Sequence, residues 1–139
     1  MTGGGTWRLK DAAGSKLVIY FYPRDQTPGC TREAQEFRDL HGAFSKAGVQ
    51  LVGVSRDSLA SHERFAARDR LPFPLLADTD ETVCRLFGVI KQKVLYGRKY
   101  QGVERSTFLL DGRGRLRQEW RAVKVPGHAE AVLEAAQRL

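Results

Sequence analysis

The sequence has little cysteine and no long apolar run, and both shortages narrow the possible functions. The chain of 139 residues contains two cysteines, at positions 30 and 84, too few for a disulfide framework. They form no Cys-x-x-Cys pair and no cluster with histidine, so the pattern predicts no metal site. No stretch is apolar enough to cross a bilayer, and the first ten residues lack the apolar core of a signal peptide. We therefore expect a cytoplasmic protein with reduced thiols and no membrane partner.

The chain also lacks internal repeats and any linker that would divide it. A length of 139 residues with 42% hydrophobic content suits one domain, residues 1–139, that can bury a sizeable core. Residues 1–5 are rich in glycine, and we expect a flexible start there.

Positive charge is in excess, and one segment carries the whole of it. The net charge is +7, and the segment from Lys91 to Lys124 holds ten Lys or Arg against three Asp or Glu. Such a surface can attract nucleic acid, but no nucleic-acid motif accompanies it, so we expect a solvated face. A non-catalytic binding or chaperone-like protein that uses the basic 91–124 surface stays open as an alternative.

The first half of the chain has the pattern of a parallel crossover. Leu17–Tyr22 and Val49–Val54 are short apolar runs typical of buried strands. Between them, Thr27 is suited to cap a helix that begins at Pro28 and runs to about Ala47. Gly48 then suits a left-handed helix end. A strand, a helix and a second strand in this order predict a right-handed crossover.

The second half predicts further elements and completes the fold class. With the first half they predict an α/β fold, thioredoxin-like, with a mixed central sheet flanked by helices. The predicted elements are a helix capped by Ser58 and running to Asp69 with Leu59, Phe65 and Ala66 inward, a short strand at Pro74–Leu76, a helix from Asp78 or Thr79 with Val83, Leu86 and Phe87 inward, strands at Val103–Leu110 and Leu116–Ala122 joined by a turn at Asp111–Gly114, and a closing helix at Gly127–Leu139.

Cys30 occupies a position that suits a reactive thiol. It follows a buried strand and falls in the first turn of a helix, where open backbone N–H groups stabilise an anion. A thiolate is the nucleophilic form of cysteine, and the end of a strand in an open α/β sheet is a frequent site of chemistry. A small buried hydrophobe is the alternative for a lone cysteine.

The surrounding motifs resemble a known family. FYPRDQTPGCTREAQEF contains the P-x-x-x-T-x-x-C pattern of the peroxiredoxins and is similar to their bacterioferritin-comigratory, or peroxiredoxin Q, subfamily. GVQLVGVSRDS, FPLLAD and RSTFLLDGRG match further along, so that the resemblance runs from about Thr6 to Leu139.

The resemblance implies a peroxidase and assigns its residues. Cys30 would attack a hydroperoxide and become sulfenic acid. Thr27 would hydrogen-bond the peroxide or the thiolate, Pro23 would shield the thiolate, and Arg105 would stabilise charge on both. No metal and no organic cofactor is implied. Glu33 matches a frequently acidic position of the family, but we leave it outside the catalytic set.

The sequence departs from the family at the second, resolving cysteine. Members that have one place it where this chain has Gln35, or in the next helix, where residues 61–69 contain none. Cys84 is the remaining candidate, and we expect it to be packed and inert. This favours a one-cysteine peroxidase reduced by an external thiol, a small thiol or a thioredoxin-like protein. An atypical two-cysteine enzyme resolving through Cys84 is the alternative, and a monomer or weak dimer is implied.

Two further expectations concern an alternative class of enzyme and the segment before the first core strand. A thioredoxin-like disulfide oxidoreductase would carry Cys-x-x-Cys, and position 33 here is glutamate. Residues 6–16 precede the first core strand, where the family has a β-hairpin, and we expect them to supply its end.

Overall fold

The computed structural model describes residues 1–139, and its elements follow the predicted order of strands and helices. No helix is long and apolar enough to span a membrane. The strands are β1 (Lys16–Phe21), β2 (Val49–Ser55), β3 (Leu75–Ala77), β4 (Ile90–Leu95), β5 (Arg98–Val103), β6 (Ser106–Leu110) and β7 (Leu116–Trp120). The helices are α1 (Pro28–Asp39), α2 (His41–Lys46), α3 (Leu59–Asp69), α4 (Thr82–Leu86) and α5 (His128–Gln137), preceded by a 3-10 turn at Leu9–Ala12.

The main sheet is mixed, as the sequence predicted, and has the order β3-β2-β1-β6-β7. β1 lies at its centre. It pairs in parallel with β2, Ile19 opposite Val52, and antiparallel with β6, Ile19 opposite Phe108. β2 pairs in parallel with β3. The end of β1 therefore lies between β2, which leads to α3, and β6, which follows Arg105. This pairing brings distant parts of the chain to one edge of the sheet.

The alternating side chains of β1 divide the core into two clusters. Val18, Tyr20 and Tyr22 point to one face, where they pack with residues of α1, α2, α3 and α5. Leu17, Ile19 and Phe21 point to the other face, toward α4 and the 3-10 turn. Successive residues of a strand face opposite sides of a sheet, so the continuous apolar run of β1 requires cover on both. The prediction of helices on both faces is confirmed.

The helix predicted from Pro28 to Ala47 is broken at Leu40. The N–H of Leu40 is shared between the carbonyls of Glu36 and Phe37, at 3.3 and 3.2 Å, and α2 begins at the next residue. Phe44 packs against Phe37 across the break, with ring centroids 5.9 Å apart. Because the apolar spacing continues across the break, the sequence pattern alone did not locate it. Gly48 has the predicted left-handed conformation, with φ of 74°.

The strand predicted at Val103–Leu110 is confirmed from Ser106 to Leu110 but starts too early, because Val103 belongs to a different sheet. β5 ends at Val103 and pairs with β4 in a separate two-stranded sheet, whereas β6 starts at Ser106 in the main sheet. The β4–β5 hairpin was not predicted, since most of its side chains are exposed and give no apolar signal. The turn between β6 and β7 is confirmed, although β7 ends at Trp120.

Three smaller expectations are also corrected. Residues 6–15 contain a 3-10 turn at Leu9–Ala12 rather than the end of a β-hairpin. Leu59 and Leu86 do not face inward: both are exposed, Leu86 to 79%. Cys84 takes the inward position on α4 instead and is completely buried. Ser58 does cap α3, accepting a hydrogen bond from the N–H of Ser61 at 3.2 Å.

Candidate active site

Cys30 lies in the first turn of α1, just beyond the carboxyl end of β1. Pro28 is the first residue of the helix, and Thr27 precedes it in extended conformation. The fixed φ of proline suits that first position, where no backbone N–H is needed. The Cys30 side chain is 2% exposed, so the helix start holds the thiol just beneath the surface. Open N–H groups at a helix start favour an anion there.

Arg105 brings a cation to this thiol from the segment between β5 and β6. Its Nη2 lies 3.4 Å from the Sγ of Cys30, and its Nη1 donates to Oε1 of Glu33 at 2.7 Å. Gly29 leaves room for this approach, because a Cβ at that position would lie 3.3 Å from Nη2, a tight contact. The guanidinium therefore bridges Cys30 and Glu33, which are one helical turn apart.

Glu33 completes this group of contacting side chains, although sequence reasoning left it outside. It is 1% exposed, and its Oε2 has no hydrogen-bond partner. Burial raises the pKa of Glu33 to about 7, and the charge of Arg105 offsets only part of that rise. Burial lowers the pKa of Arg105, but the charges of Glu33 and Cys30 outweigh it, so the guanidinium stays charged. The three-residue spacing from Cys30 was the signal that could have identified Glu33.

Thr27 and Pro23 lie in the loop that precedes α1, and neither side chain hydrogen-bonds the Cys30 thiol. The Thr27 hydroxyl donates to the carbonyl of Arg24 at 2.9 Å and makes no side-chain cap to α1, so a hydroxyl cap is not what Thr27 provides. Pro23 follows the last buried residue of the β1 run and is partly exposed. The structure therefore brings Cys30 and Arg105 into contact, whereas Thr27 and Pro23 make no contact of this kind with the thiol.

Cys84 lies in the other core cluster, away from Cys30. It packs with Phe21 and Val89 on the opposite face of the sheet. Its backbone N–H donates to Asp78 at 2.7 Å. Burial raises the pKa of the Cys84 thiol well above its ordinary value, and the Asp78 carboxylate raises it further. The two thiols are therefore separated by the central sheet and differ in electrostatic environment.

A buried polar network holds the loop between β1 and α1, and no local sequence pattern predicted it. Asp25 Oδ2 lies 2.6 Å from His62 Nδ1 and accepts from the Ser61 hydroxyl at 2.8 Å, while Asp25 Oδ1 accepts from the Tyr22 hydroxyl at 2.6 Å. Burial opposes ionisation of Asp25, but hydrogen bonds from His62 and Tyr22 lower its pKa overall. These contacts fasten the loop to α3.

The same network contains the group of side chains with metal-ligand spacing. Donor atoms of Asp25, Asp57 and His62 lie within 4.8 Å of one another. The Asp57 carboxylate, however, accepts from the backbone N–H of Asp25 and from the Ser55 hydroxyl. His62 Nε2 faces the carbonyl of Leu76 at 3.0 Å. The donor atoms are thus engaged by protein hydrogen bonds, and these hydrogen bonds stabilise the loop between β1 and α1.

Comparison with known proteins identifies the family of this chain. The AhpC/TSA family matches residues 1–119 of the chain. A peroxiredoxin Bcp from Xanthomonas campestris is 53% identical over 135 residues, which cover 97% of this chain and 84% of that protein. The chain belongs to the AhpC/TSA family of peroxiredoxins. A peroxiredoxin Bcp from Bacillus subtilis is also similar, with 48% identity over 94% of this chain and 83% of its own length.

Solved structures agree with this peroxiredoxin assignment. A structure of Xanthomonas campestris peroxiredoxin Q has a TM-score of 0.95 and 52% identity, and the match covers 99% of this chain and 87% of that one. Another structure at the same identity concerns the alkyl peroxide reduction activity of the bacterioferritin comigratory protein of that organism. This peroxiredoxin therefore has the thioredoxin fold and is a thiol-dependent peroxidase, with a peroxide as substrate and a thiol as reductant.

Proposed function

We propose that Cys30 is the nucleophile of this peroxidase, and that it reduces hydrogen peroxide and organic hydroperoxides through a sulfenic acid. The observation that carries the proposal is the 3.4 Å contact between Arg105 Nη2 and Cys30 Sγ in the first turn of α1. A thiolate is the reactive form of cysteine, and a guanidinium together with a helix start favours it. Cys84 is also the third residue of its helix, but the Asp78 carboxylate beside it opposes ionisation of the thiol.

Arg105 serves both the thiolate and the reacting oxygens in this proposal. As the Cys30 sulfur attacks the terminal oxygen of the peroxide, the O–O bond breaks and negative charge moves to the departing oxygen. A guanidinium that already touches the sulfur can donate to that oxygen with little reorganisation. The hydrogen bond from Arg105 to Glu33 restrains the orientation of the guanidinium, which supports this positioning.

Thr27 and Pro23 shape the approach of the peroxide in the same proposal. While the Thr27 hydroxyl donates to the Arg24 carbonyl, its oxygen keeps lone pairs that can accept the peroxide O–H. Pro23 has no N–H to compete for the substrate and is partly exposed at the start of the loop. Both side chains thus orient the peroxide without entering a covalent step.

We propose a one-cysteine cycle, in which an external thiol reduces the Cys30 sulfenic acid. A small thiol or a thioredoxin-like protein suits this step, and the enzyme acts as a monomer or weak dimer. The positions of the thiols support it, because a Cys30–Cys84 disulfide needs their Cα atoms within about 7 Å and the two side chains lie in different core clusters. Resolution through Cys84 would require large local unfolding.

Intact-mass measurement tests the proposal directly. The reduced protein is treated with one equivalent of hydrogen peroxide in the presence of dimedone, and the modified residue is located by peptide mapping. We expect a dimedone adduct on Cys30 alone. A mass loss of two hydrogens with a Cys30–Cys84 linkage would establish the two-cysteine alternative. Two unmodified thiols would refute Cys30 as the nucleophile and would favour the alternative of a binding protein that uses the basic 91–124 surface.

A further inference from the structure

His62 is completely buried, and both of its ring nitrogens face oxygen acceptors. Nδ1 lies 2.6 Å from Oδ2 of Asp25, and Nε2 lies 3.0 Å from the carbonyl oxygen of Leu76. A carbonyl oxygen can only accept a hydrogen bond, so Nε2 carries a proton. Burial opposes ionisation of Asp25, but its hydrogen bonds lower its pKa overall, so this carboxylate also only accepts. Nδ1 therefore carries a proton as well, and the ring of His62 is an imidazolium.

The loop between β1 and α1, to which Asp25 belongs, contains a strained residue. Gln26 has a φ of 60°, in the left-handed region that residues other than glycine occupy at a cost in free energy. Its side-chain oxygen accepts a hydrogen bond from Arg68 of α3 at 3.0 Å. Such backbone strain persists only where surrounding contacts hold it. The contacts from α3 to Asp25 and Gln26 therefore determine the path of the chain into Thr27 and the start of α1.

The ion pair between His62 and Asp25 is the most buried of these contacts, since the two side chains are 0% and 2% exposed. A buried pair is screened little by salt, and loss of one partner leaves the other charge uncompensated. Cys30 is the third residue of α1, whereas Arg105 reaches its sulfur from a different segment of the chain. A shift of the loop therefore displaces the sulfur of Cys30 relative to the guanidinium.

We propose that His62, as an imidazolium paired with Asp25, is a positioning residue for the reaction of Cys30. It acts through the loop that sets the start of α1, and the inference rests on the proposed role of Cys30. Peroxide reduction depends on this positioning, because the O–O bond must align with both the sulfur and the guanidinium of Arg105. Alkylation of Cys30 by iodoacetamide needs access to the sulfur but no such alignment. The ratio of the two rates therefore measures the positioning.

The test measures both rates in His62→Phe, which keeps an aromatic ring and removes both N–H donors. Oxidation of Cys30 by hydrogen peroxide is followed in a single turnover, and alkylation is followed at the same pH. We expect oxidation to slow by about tenfold or more, the scale of a small misplacement of reacting groups. Alkylation should be as fast as in the wild-type protein or faster, because a loosened loop uncovers a thiol that is now 2% exposed.

His41→Phe is the matched control, because it makes the same substitution on α2, where the ring of His41 packs against Phe73. Both of its rates should equal those of the wild-type protein. Ser61→Ala is a milder variant, which removes the hydroxyl that donates to Asp25 at 2.8 Å. It should lower the ratio of oxidation to alkylation in the same direction as His62→Phe but less, and it decides the matter if His62→Phe does not fold.

Nuclear magnetic resonance of the wild-type protein, labelled with ¹⁵N at histidine, tests the imidazolium itself. We expect both ring nitrogens of His62 to carry protons at neutral pH, and a bare ring nitrogen would overturn that part of the proposal. A ratio of oxidation to alkylation equal to that of the wild-type protein in folded His62→Phe, or in Ser61→Ala, would overturn the positioning role while leaving Cys30 as nucleophile. Failure of hydrogen peroxide to oxidise Cys30 in the wild-type protein would instead refute the proposed function.

Discussion

The two cysteines are equally buried, yet their surroundings have opposite charge. Cys30 lies at a helix start with the Arg105 guanidinium 3.4 Å from its sulfur. Cys84 lies on the other face of the sheet, where the Asp78 carboxylate raises its pKa beyond the effect of burial. Exposure does not distinguish the two thiols, since both are below 3%. The charged neighbour does, because a cation favours the thiolate and an anion opposes it.

Exchange of each cysteine for alanine gives the largest expected difference between the two regions. Cys30→Ala should lower peroxide turnover by roughly 10³-fold or more, because no other group can replace the nucleophile. Cys84→Ala should change turnover by less than about threefold, since the lost sulfur contributes packing only. Peroxide consumption with excess thiol measures both, and circular dichroism checks the fold. Comparable losses in the two variants would make Cys84 a resolving cysteine.

Removal of the cation beside Cys30 is the next prediction. Arg105→Met should slow the oxidation of Cys30 by about 10²-fold, the scale of one preorganised donor at a reacting oxygen. Arg105→Lys should fall between, because an ammonium cannot bridge Cys30 and Glu33 as a guanidinium does. Stopped-flow measurement of Cys30 oxidation gives the rates.

Arg85→Met serves as the control for that substitution in the other region. Arg85 is paired with Glu81 on the α4 side of the molecule, near Cys84, and its side chain is more than half exposed. We expect a rate within about twofold of the wild-type protein. A rate in Arg105→Met equal to that of the control would remove Arg105 from the chemistry.

Local patterns in the sequence were sufficient for the elements that carry Cys30. Each of these signals lies within a few neighbouring residues: the apolar runs of β1 and β2, and Pro28 at the start of α1. The structure confirms these elements. Arg105 was named by resemblance alone, because its contact with Glu33 joins residues 72 positions apart. No periodicity within one segment can reveal such a contact.

The sequence failed where exposure or distance removed the signal. The β4–β5 hairpin is mostly exposed, so its strands show no alternation between apolar and polar residues. The Asp25–His62 contact joins the loop between β1 and α1 to α3, and the two residues are 37 positions apart in the sequence. The inward position of Cys84 depends on how α4 is rotated, which a five-residue helix does not encode in its apolar spacing.

Glu33 provides a test of the Cys30 region through pH and stability. Its pKa rises from 4.5 to about 7 on folding, so between these values the native state binds more protons than the unfolded state. The stability that this pKa shift contributes is fully present below pH 4.5 and is lost as pH rises through 7. Glu33→Gln removes this loss, and its unfolding free energy relative to the wild-type protein should increase by up to about 3 kcal/mol across the window.

Urea unfolding at several pH values measures this difference, with Glu134→Gln as the control. Glu134 lies on the exposed side of α5, paired with Arg138, and its substitution should leave the pH dependence of the unfolding free energy unchanged. Parallel curves for Glu33→Gln and the wild-type protein would mean that Glu33 is ionised throughout, and that the Arg105 contact fully offsets its burial.

The smallest prediction concerns the anion beside Cys84. Asp78 accepts the backbone N–H groups of Val83 and Cys84, at 3.0 and 2.7 Å, and an asparagine offers one oxygen where these donors now have two. Asp78→Asn should therefore cost about 1 kcal/mol of unfolding free energy and should lower the pKa of Cys84. Alkylation of Cys84, followed against pH in the Cys30→Ala background, should reach half its maximum at lower pH. Asp80→Asn is the matched control, because Asp80 accepts only the N–H of Thr82. An unchanged profile in Asp78→Asn would mean that burial alone, and not the neighbouring charge, separates the two cysteines.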